Sequence, residues 1–256
     1  MSRVVPRERQ SDLFSDPREV SRHGAAEIAR VSVRVGYERW ARTYDYTPNP
    51  LLALEERYLM PLLPVLTEKN VLDVACGTGR WLAQFMARGA GLGVGIDLSP
   101  AMLRAAARKP AVSSRLVLAD CLQLPFRPMV FDFVMCSFVL NHIQDVRAMA
   151  CELGRVMKPE GRLLICELHP EAHARGWRPG FRDLRGAVQV ETLHHSSENV
   201  VDSFQPSGFE CRELHTLFFG EPERRIFQQA RKEELFADAC RVPAVQVYDF
   251  RNLGCR

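Results

Sequence analysis

Residues 71–81 read Val-Leu-Asp-Val-Ala-Cys-Gly-Thr-Gly-Arg-Trp, a β-branched run that breaks into a glycine turn and then into an apolar helix. Without a Cβ at Gly77 and Gly79, a ligand can approach the backbone closely. Asp97, at the end of the apolar run 93–96, stands at the distance expected of a carboxylate that binds ribose hydroxyls. This chemistry belongs to a nucleotide-bearing cofactor. A dinucleotide fingerprint starting at Gly77 would need a third glycine at position 82, where the chain has Leu82, so a cofactor without a pyrophosphate fits better. The second set of reactive residues is His142, His169, His194 and His195, with Glu167 two positions before His169. A pKa near neutrality makes histidine a usable general base. His169 is the first choice, because strand alternation puts Glu167 on the same side to orient it. A lone histidine is more often an ordinary polar residue, but four bordering one crevice favour contact with a substrate by at least one.

These residues need a parallel sheet to position them. Strands are expected over 71–74, 93–97, 116–120, 133–138 and 163–167, alternating with helices, and this alternation gives right-handed crossovers. The helix after the second strand is marked by Ser99 as N-cap and Pro100 at the first helical position. Val146, Ala150, Leu153 and Met157 line a helix face that Lys158-Pro159-Glu160-Gly161 stops. Upstream, the first 17 residues form a polar arm. Val20, Gly24, Ile28, Val31 and Val35 then recur at helical steps, continued by Tyr37, Trp40 and Tyr44. Leu51, Leu54, Tyr58 and Leu62 make a further helix. Beyond Gly208, strands over 209–217 and 242–250 flank a helix over 224–240, and Pro206 should end or kink the helix before it.

Six blocks then follow in order: Tyr-Glu-Arg-Trp-Ala-Arg-Thr-Tyr-Asp (37–45), Leu-Asp-Val-Ala-Cys-Gly-Thr-Gly (72–79), Gly-Ile-Asp-Leu-Ser-Pro-Ala-Met-Leu (95–103), Ala-Asp-Cys-Leu-Gln-Leu-Pro-Phe (119–126), Phe-Asp-Phe-Val-Met-Cys-Ser-Phe-Val-Leu-Asn-His (131–142) and Arg-Val-Met-Lys-Pro-Glu-Gly-Arg-Leu-Leu (155–164). With them the chain resembles the class I S-adenosylmethionine-dependent methyltransferases of the type 11-like kind. The resemblance implies an α/β Rossmann-like sheet of seven mostly parallel strands with an antiparallel edge hairpin and helices on both faces. S-adenosylmethionine would lie across its carboxyl edge. It also implies that Tyr44 contacts the methionine end of the cofactor and that Asp73 helps hold its ammonium group. Ala75, Cys76, Gly77, Thr78 and Gly79 would form the loop, with Ala75 in place of the family's first glycine. Asp97 would hold the ribose and Leu98 and Met102 would sandwich the adenine, with Ser137 at the end of the fourth strand. The Asp120 carboxylate would meet the adenine amino group and the Cys121 N–H a ring nitrogen. For Asp120 a plain turn-capping role stands as the alternative, and for Leu98 and Met102 a core role.

The fourth strand ends in Cys-Ser-Phe-Val-Leu-Asn-His, not in the Asn-Pro-Pro-Tyr or Asp-Pro-Pro-Tyr of base-amine methylases, which disfavours a nucleic-acid substrate. The expected acceptor is a small organic molecule methylated at O, N or C. Residues 37–256 are expected to form one domain after an arm and helix over 1–36. The insertion 169–199, with Trp177 and Phe181, reads as a substrate lid. Arginines cluster at Arg3, Arg7, Arg9, Arg18 and Arg22 and again at Arg175, Arg178, Arg182 and Arg185. The second cluster is either a solvated surface or a site for an anionic group of the acceptor. A non-catalytic partner protein of the same fold and a nicotinamide-dependent oxidoreductase are the alternatives, the latter disfavoured by Leu82.

Composition fits these expectations. The 256 residues are 46% hydrophobic and 25% charged, enough for a large core. A net charge of +3 is too small to argue for nucleic acid. No apolar run is long enough to span a bilayer and the first residues lack a signal-peptide core, so a cytoplasmic location is the expectation. The 8 cysteines show no Cys-x-x-Cys pair, which reads as reduced thiols with no metal spacing.

Overall fold

The computed structural model describes residues 28–254. A central sheet of seven strands has β2 (Asn70–Val74) as its third strand. On one side of it lie β3 (Leu92–Asp97) and then β4 (Leu116–Leu118), and on the other β5 (Phe131–Ser137) and β6 (Met157–Leu168). All four interfaces among these strands are parallel. β9 (Phe209–Leu217) and β10 (Val245–Asn252) close the far edge, with β10 antiparallel to both β6 and β9. This is the expected seven-stranded mixed sheet with an antiparallel edge.

Strands covered on both faces read as continuous apolar runs, and β5 shows how each face is filled. Phe133 and Met135 enter the core on one face, while Val134 and Cys136 enter the core on the other. Helices α3 (Arg80–Ala87) and α4 (Pro100–Ala106) follow β2 and β3, and α5 (Val146–Val156) follows β5. Ser99 caps α4 by accepting the Met102 N–H, and Pro100 starts it, as the sequence indicates.

Several boundaries differ from the sequence reading. Residues 29–31 are not helical: Ala29–Val31 is a strand, β1, paired parallel with β8 (Gly186–Val190), which in turn pairs with β7 (Gly180–Asp183). Helical spacing of Ile28, Val31 and Val35 was overridden by a strand partner about 160 residues away, a pairing that local periodicity cannot register. The helix α1 begins only at Val33 and runs to Trp40, so position 36/37 falls inside it. Gly36 lets it approach β8, since a Cβ there would lie 2.6 Å from a Val190 methyl. The helix expected over 224–240 is broken into α8 (Glu221–Gln229) and α9 (Phe236–Ala239). β6 begins directly where α5 stops and takes in Pro159 and Gly161, which it accommodates with a shift in register against β5. α7 (Ser197–Phe204) gives way to a tight turn of helix just before Pro206, as expected. The helix positions at Val20 and Gly24, and the first arginine cluster, lie outside the described residues.

Candidate active site

The carboxyl edge of the sheet carries a cleft of about 620 Å³, bordered by the turn after β2, the end of β3, the start of α4, the turn after β4 and the end of β5. Ala75 and Gly77 enter the left-handed region, at φ 54° and 55°. For Gly77 this costs little, but for Ala75 it is strain of about 1–2 kcal/mol. The missing first glycine of the loop therefore changes the energy of the turn and leaves its path intact. A Cβ on Gly77 would meet nothing within 4 Å, so this backbone faces open space.

Asp97 ends β3 with one carboxylate oxygen accepting the Gly77 N–H at 2.8 Å and the other accepting the Ser99 N–H at 2.7 Å. It thus ties loop and helix together while lining the cleft. Burial raises its pKa, and the backbone donors oppose that rise. Leu98 stands 68% exposed beside the cleft, and Met102 is buried in its wall. Asp120 and Cys121 line it from the next turn, where Asp120 also accepts the Leu122 N–H, so the turn-capping role and a place in the cleft coexist. Tyr44, Ser137 and Ala75 complete the anticipated residues on its wall.

Asp73, Cys76, Thr78 and Gly79 sit behind this wall. Asp73 accepts the Leu82 N–H at 2.9 Å and so fixes the first turn of α3; burial lifts its pKa to about 7. Cys76 is buried with its N–H on the Ile96 carbonyl, and Gly79 starts α3 at φ 76°. The Thr78 hydroxyl donates to Asp45 at 2.5 Å, and Lys109 bridges the Asp45 carboxylate and the Thr78 carbonyl. This knot ties the segment after α1 to the glycine loop. Beneath it, Glu55 of α2 (Pro50–Leu59), fully buried, accepts from Arg80, Trp81 and Ser137.

A second, smaller cavity of about 40 Å³ lies beside the cleft. Its walls come from α1 and the segment after it (Tyr37, Trp40, Tyr44), from beyond β5 (Phe138, Asn141, His142), from the end of β6 (Glu167, Leu168) and from the insertion (Trp177, Arg178, Pro179). Tyr37, Tyr44, Phe138 and His142 line both spaces. Phe138 holds φ 53°, a strained value of the kind that clusters at functional sites. The Tyr37 hydroxyl and His142 Nε2 are 2.9 Å apart. Burial pushes the His142 pKa down to about 4 and that of Tyr37 well above 10, so both are neutral at pH 7. The Tyr37 hydroxyl both donates and accepts, so the direction of this bond follows the tautomer of the neutral imidazole. Glu167 is buried, accepts the Leu168 and Asn141 N–H groups at 2.8 and 3.2 Å, and is pushed up to about 7 by that burial.

The expected pairing of Glu167 with His169 is not formed. His169 lies past the end of β6 as the N-cap of α6 (Pro170–Ala174), and its Nδ1 accepts the Glu171 N–H at 3.1 Å, so the residue lines neither space. His195 is held on the Ile143 carbonyl and His194 stacks on His173, and neither reaches the cavities. Of the five anticipated catalytic residues, only His142 and Glu167 meet in one cavity. Sequence reasoning missed Tyr37 and Phe138 as site residues. Tyr37 belonged to a visible aromatic stripe, whereas nothing in the sequence signals the backbone strain at Phe138.

The insertion and α1 form one cover over the small cavity. Trp40 stacks on Phe181 with centroids 5.0 Å apart, and Arg39 grips Asp183 through two hydrogen bonds of 2.9 and 2.7 Å. Among the described residues no group of three His, Cys, Asp or Glu side chains could hold a metal ion, and no helix is long and apolar enough to cross a membrane.

This sheet with a glycine turn, acidic strand ends and a cleft at its carboxyl edge is the architecture of a methyltransferase domain, and the model of that family matches residues 72–165. The chain is 33% identical over 181 residues to the demethylmenaquinone methyltransferase of Thermobifida fusca (strain YX), a match covering 66% of this chain and 71% of the relative. It is 34% identical over 147 residues to that of Tropheryma whipplei (strain Twist), where the match spans 54% of this chain and only 60% of the relative. The fold is shared with an S-adenosylmethionine-dependent methyltransferase from Mesorhizobium loti, at TM-score 0.63 and 20% identity over 79% of this chain and 100% of the other. It is also shared with geranyl diphosphate C-methyltransferase from Streptomyces coelicolor A3(2), at TM-score 0.59 and 14% identity over 88% and 90%. The protein belongs to the class I S-adenosylmethionine-dependent methyltransferases.

Proposed function

We propose that the chain transfers a methyl group from S-adenosylmethionine, held in the large cleft, to an O, N or C atom of a small organic acceptor in the adjoining cavity. The observation that carries this reading is the wall of four residues, Tyr37, Tyr44, Phe138 and His142, common to both spaces. Gly77, Asp97, Leu98, Met102, Asp120 and Cys121 are the residues that would hold the cofactor, which when bound supplies an electrophilic methyl on a sulfonium. Asp73, Cys76, Thr78 and Gly79 would act behind them by fixing the loop.

What remains for the protein is to align the acceptor, exclude water and take up a proton where the acceptor carries one. Tyr37 and His142 form the relay for that proton: Tyr37 receives it while passing its own to Nε2 of the neutral imidazole. Glu167, in the same cavity, favours the resulting imidazolium when ionised. The cover of α1 and the insertion acts as the lid. Its aromatic lining, Trp40, Tyr37, Tyr44, Phe138 and Trp177, suits an acceptor with an unsaturated or ring portion, as the quinone named in the relatives has. A small-molecule acceptor, no nucleic acid and a cytoplasmic location complete the reading.

The test is ligand-dependent stability. S-adenosylmethionine or S-adenosylhomocysteine at a hundredfold its dissociation constant should add about 2.7 kcal/mol, visible as a rise in Tm, and NAD should add nothing. A rise with NAD and none with S-adenosylmethionine would overturn the assignment.

A further inference from the structure

We propose that the small cavity recognises a carboxylate carried by the acceptor, with the Arg178 guanidinium as its main contact; this rests on the reading that the cavity holds the acceptor. Arg178 brings unpaired donors to the cavity wall. Arg178 spends Nη1 on the His173 and Trp177 carbonyls, at 2.6 and 2.7 Å. Those two bonds anchor one end of the fork, and its Nε and Nη2 make no hydrogen bond to the described residues. Arg178 has no carboxylate partner among them, in contrast to Arg39 and Arg175, which pair with Asp183 and Glu171. Of the second arginine cluster, Arg178 alone lines the cavity.

Two further walls of the same cavity carry buried nitrogens without a hydrogen-bond partner, Trp40 Nε1 and His142 Nδ1. Indole N–H can only donate, whereas His142 Nδ1 donates or accepts according to its tautomer. Buried polar groups left unpaired in a native fold call for a partner. A small group that only accepts and bears negative charge suits the free edge of Arg178 on the cavity wall. A carboxylate is that group, since its two oxygens match the paired donors of an arginine edge. Burial, and after it the positive charge of Arg30, lowers the Arg178 pKa. The other ionisable groups of the cavity do not compete for the fork. Tyr37 and Tyr44 stay protonated, and both Glu167 oxygens are engaged by backbone N–H groups.

The full chain saturated with S-adenosylhomocysteine is titrated calorimetrically with acetate and benzoate, and with acetamide and benzamide as neutral counterparts. The acids should bind at least tenfold more tightly than the amides. Arg178→Gln should weaken acid binding by about tenfold to a hundredfold, as expected for lost charge-assisted hydrogen bonds, and leave the amides unchanged. Arg178→Lys should fall between, because it keeps the charge without the fork, and Arg175→Gln should match wild type. Retained S-adenosylhomocysteine affinity in each variant verifies folding. Equal binding of acids and amides, or wild-type acid affinity in Arg178→Gln, overturns the proposal, as does phenyl phosphate outcompeting benzoate at Arg178. If S-adenosylhomocysteine fails to bind while acids still bind through Arg178, the methyltransferase reading fails and the carboxylate site stands. If it binds and the acids do not, the reverse holds.

Discussion

The cleft and the small cavity share a wall, yet they are built differently. The cleft is made largely of turns that each follow one strand, so most of its residues come from the short stretches 75–77, 96–104, 119–121 and 137–143, with α1 and Tyr44 closing it. Much of its chemistry is backbone, which needs only the right φ values and small residues. The cavity is assembled from side chains brought together across the chain, Tyr37 meeting His142 over a separation of 105 residues and Arg39 meeting Asp183 over 144. A site of the first kind is fixed by the sheet; one of the second kind is free to vary with the insertion that covers it, which suits one cofactor and diverse acceptors.

Substitutions can separate the two. The largest effect should come from the cavity side: His142→Ala removes the proton relay and should lower turnover about 10²- to 10⁴-fold, with cofactor affinity within about twofold of wild type. Comparable loss of cofactor binding, measured by calorimetry, would mean that the two spaces are not functionally distinct. On the cleft side, Asp97→Ala removes the ribose contact and also frees the Gly77 and Ser99 N–H groups. Cofactor affinity should fall about ten- to a hundredfold, the loss of charge-assisted bonds worth about 1.5–3 kcal/mol.

Glu167 tests the electrostatics of the cavity. Its folded pKa, about 7, lies above the ordinary 4.5, so the folded state holds a proton that the unfolded chain has released. Stability from this group is therefore greatest below about pH 4.5 and declines as pH rises to about 7. Activity should run the other way, with an ascending limb near pH 7 as the carboxylate forms. Glu167→Gln should abolish that limb and raise Tm relative to wild type more at pH 8 than at pH 5. A limb unchanged in the variant would assign it to another group. The smallest effect should be Ala75→Gly, which releases the strain at φ 54° and should stabilise the fold by about 1 kcal/mol in a denaturant melt, less any entropy the glycine gains when unfolded.

How much the sequence reveals follows the same division. The glycine turn, Asp97 and the Ser99–Pro100 helix start are local signals, and the residues lie where the local pattern indicates. The strand over 209–217 alternates in plain view because one face of an edge strand meets solvent. The second sheet was not legible: β1 is three residues long and pairs with an insertion far along the chain. The choice of His169 failed for a physical reason. Strand alternation does not hold past Leu168, where the chain turns into α6 and recruits the imidazole as a cap. His142 carried no stronger sequence signal than its three companions. Only burial against Tyr37 sets it apart.

The most direct test of the account is to incubate the purified chain with methyl-labelled S-adenosylmethionine and a small-molecule extract, for wild type and His142→Ala in parallel. The account predicts a low-molecular-weight product that gains one labelled methyl for each S-adenosylhomocysteine formed, and a rate lowered about 10²- to 10⁴-fold in the variant. Labelled product formed by His142→Ala at the wild-type rate would contradict the relay through Tyr37 and His142.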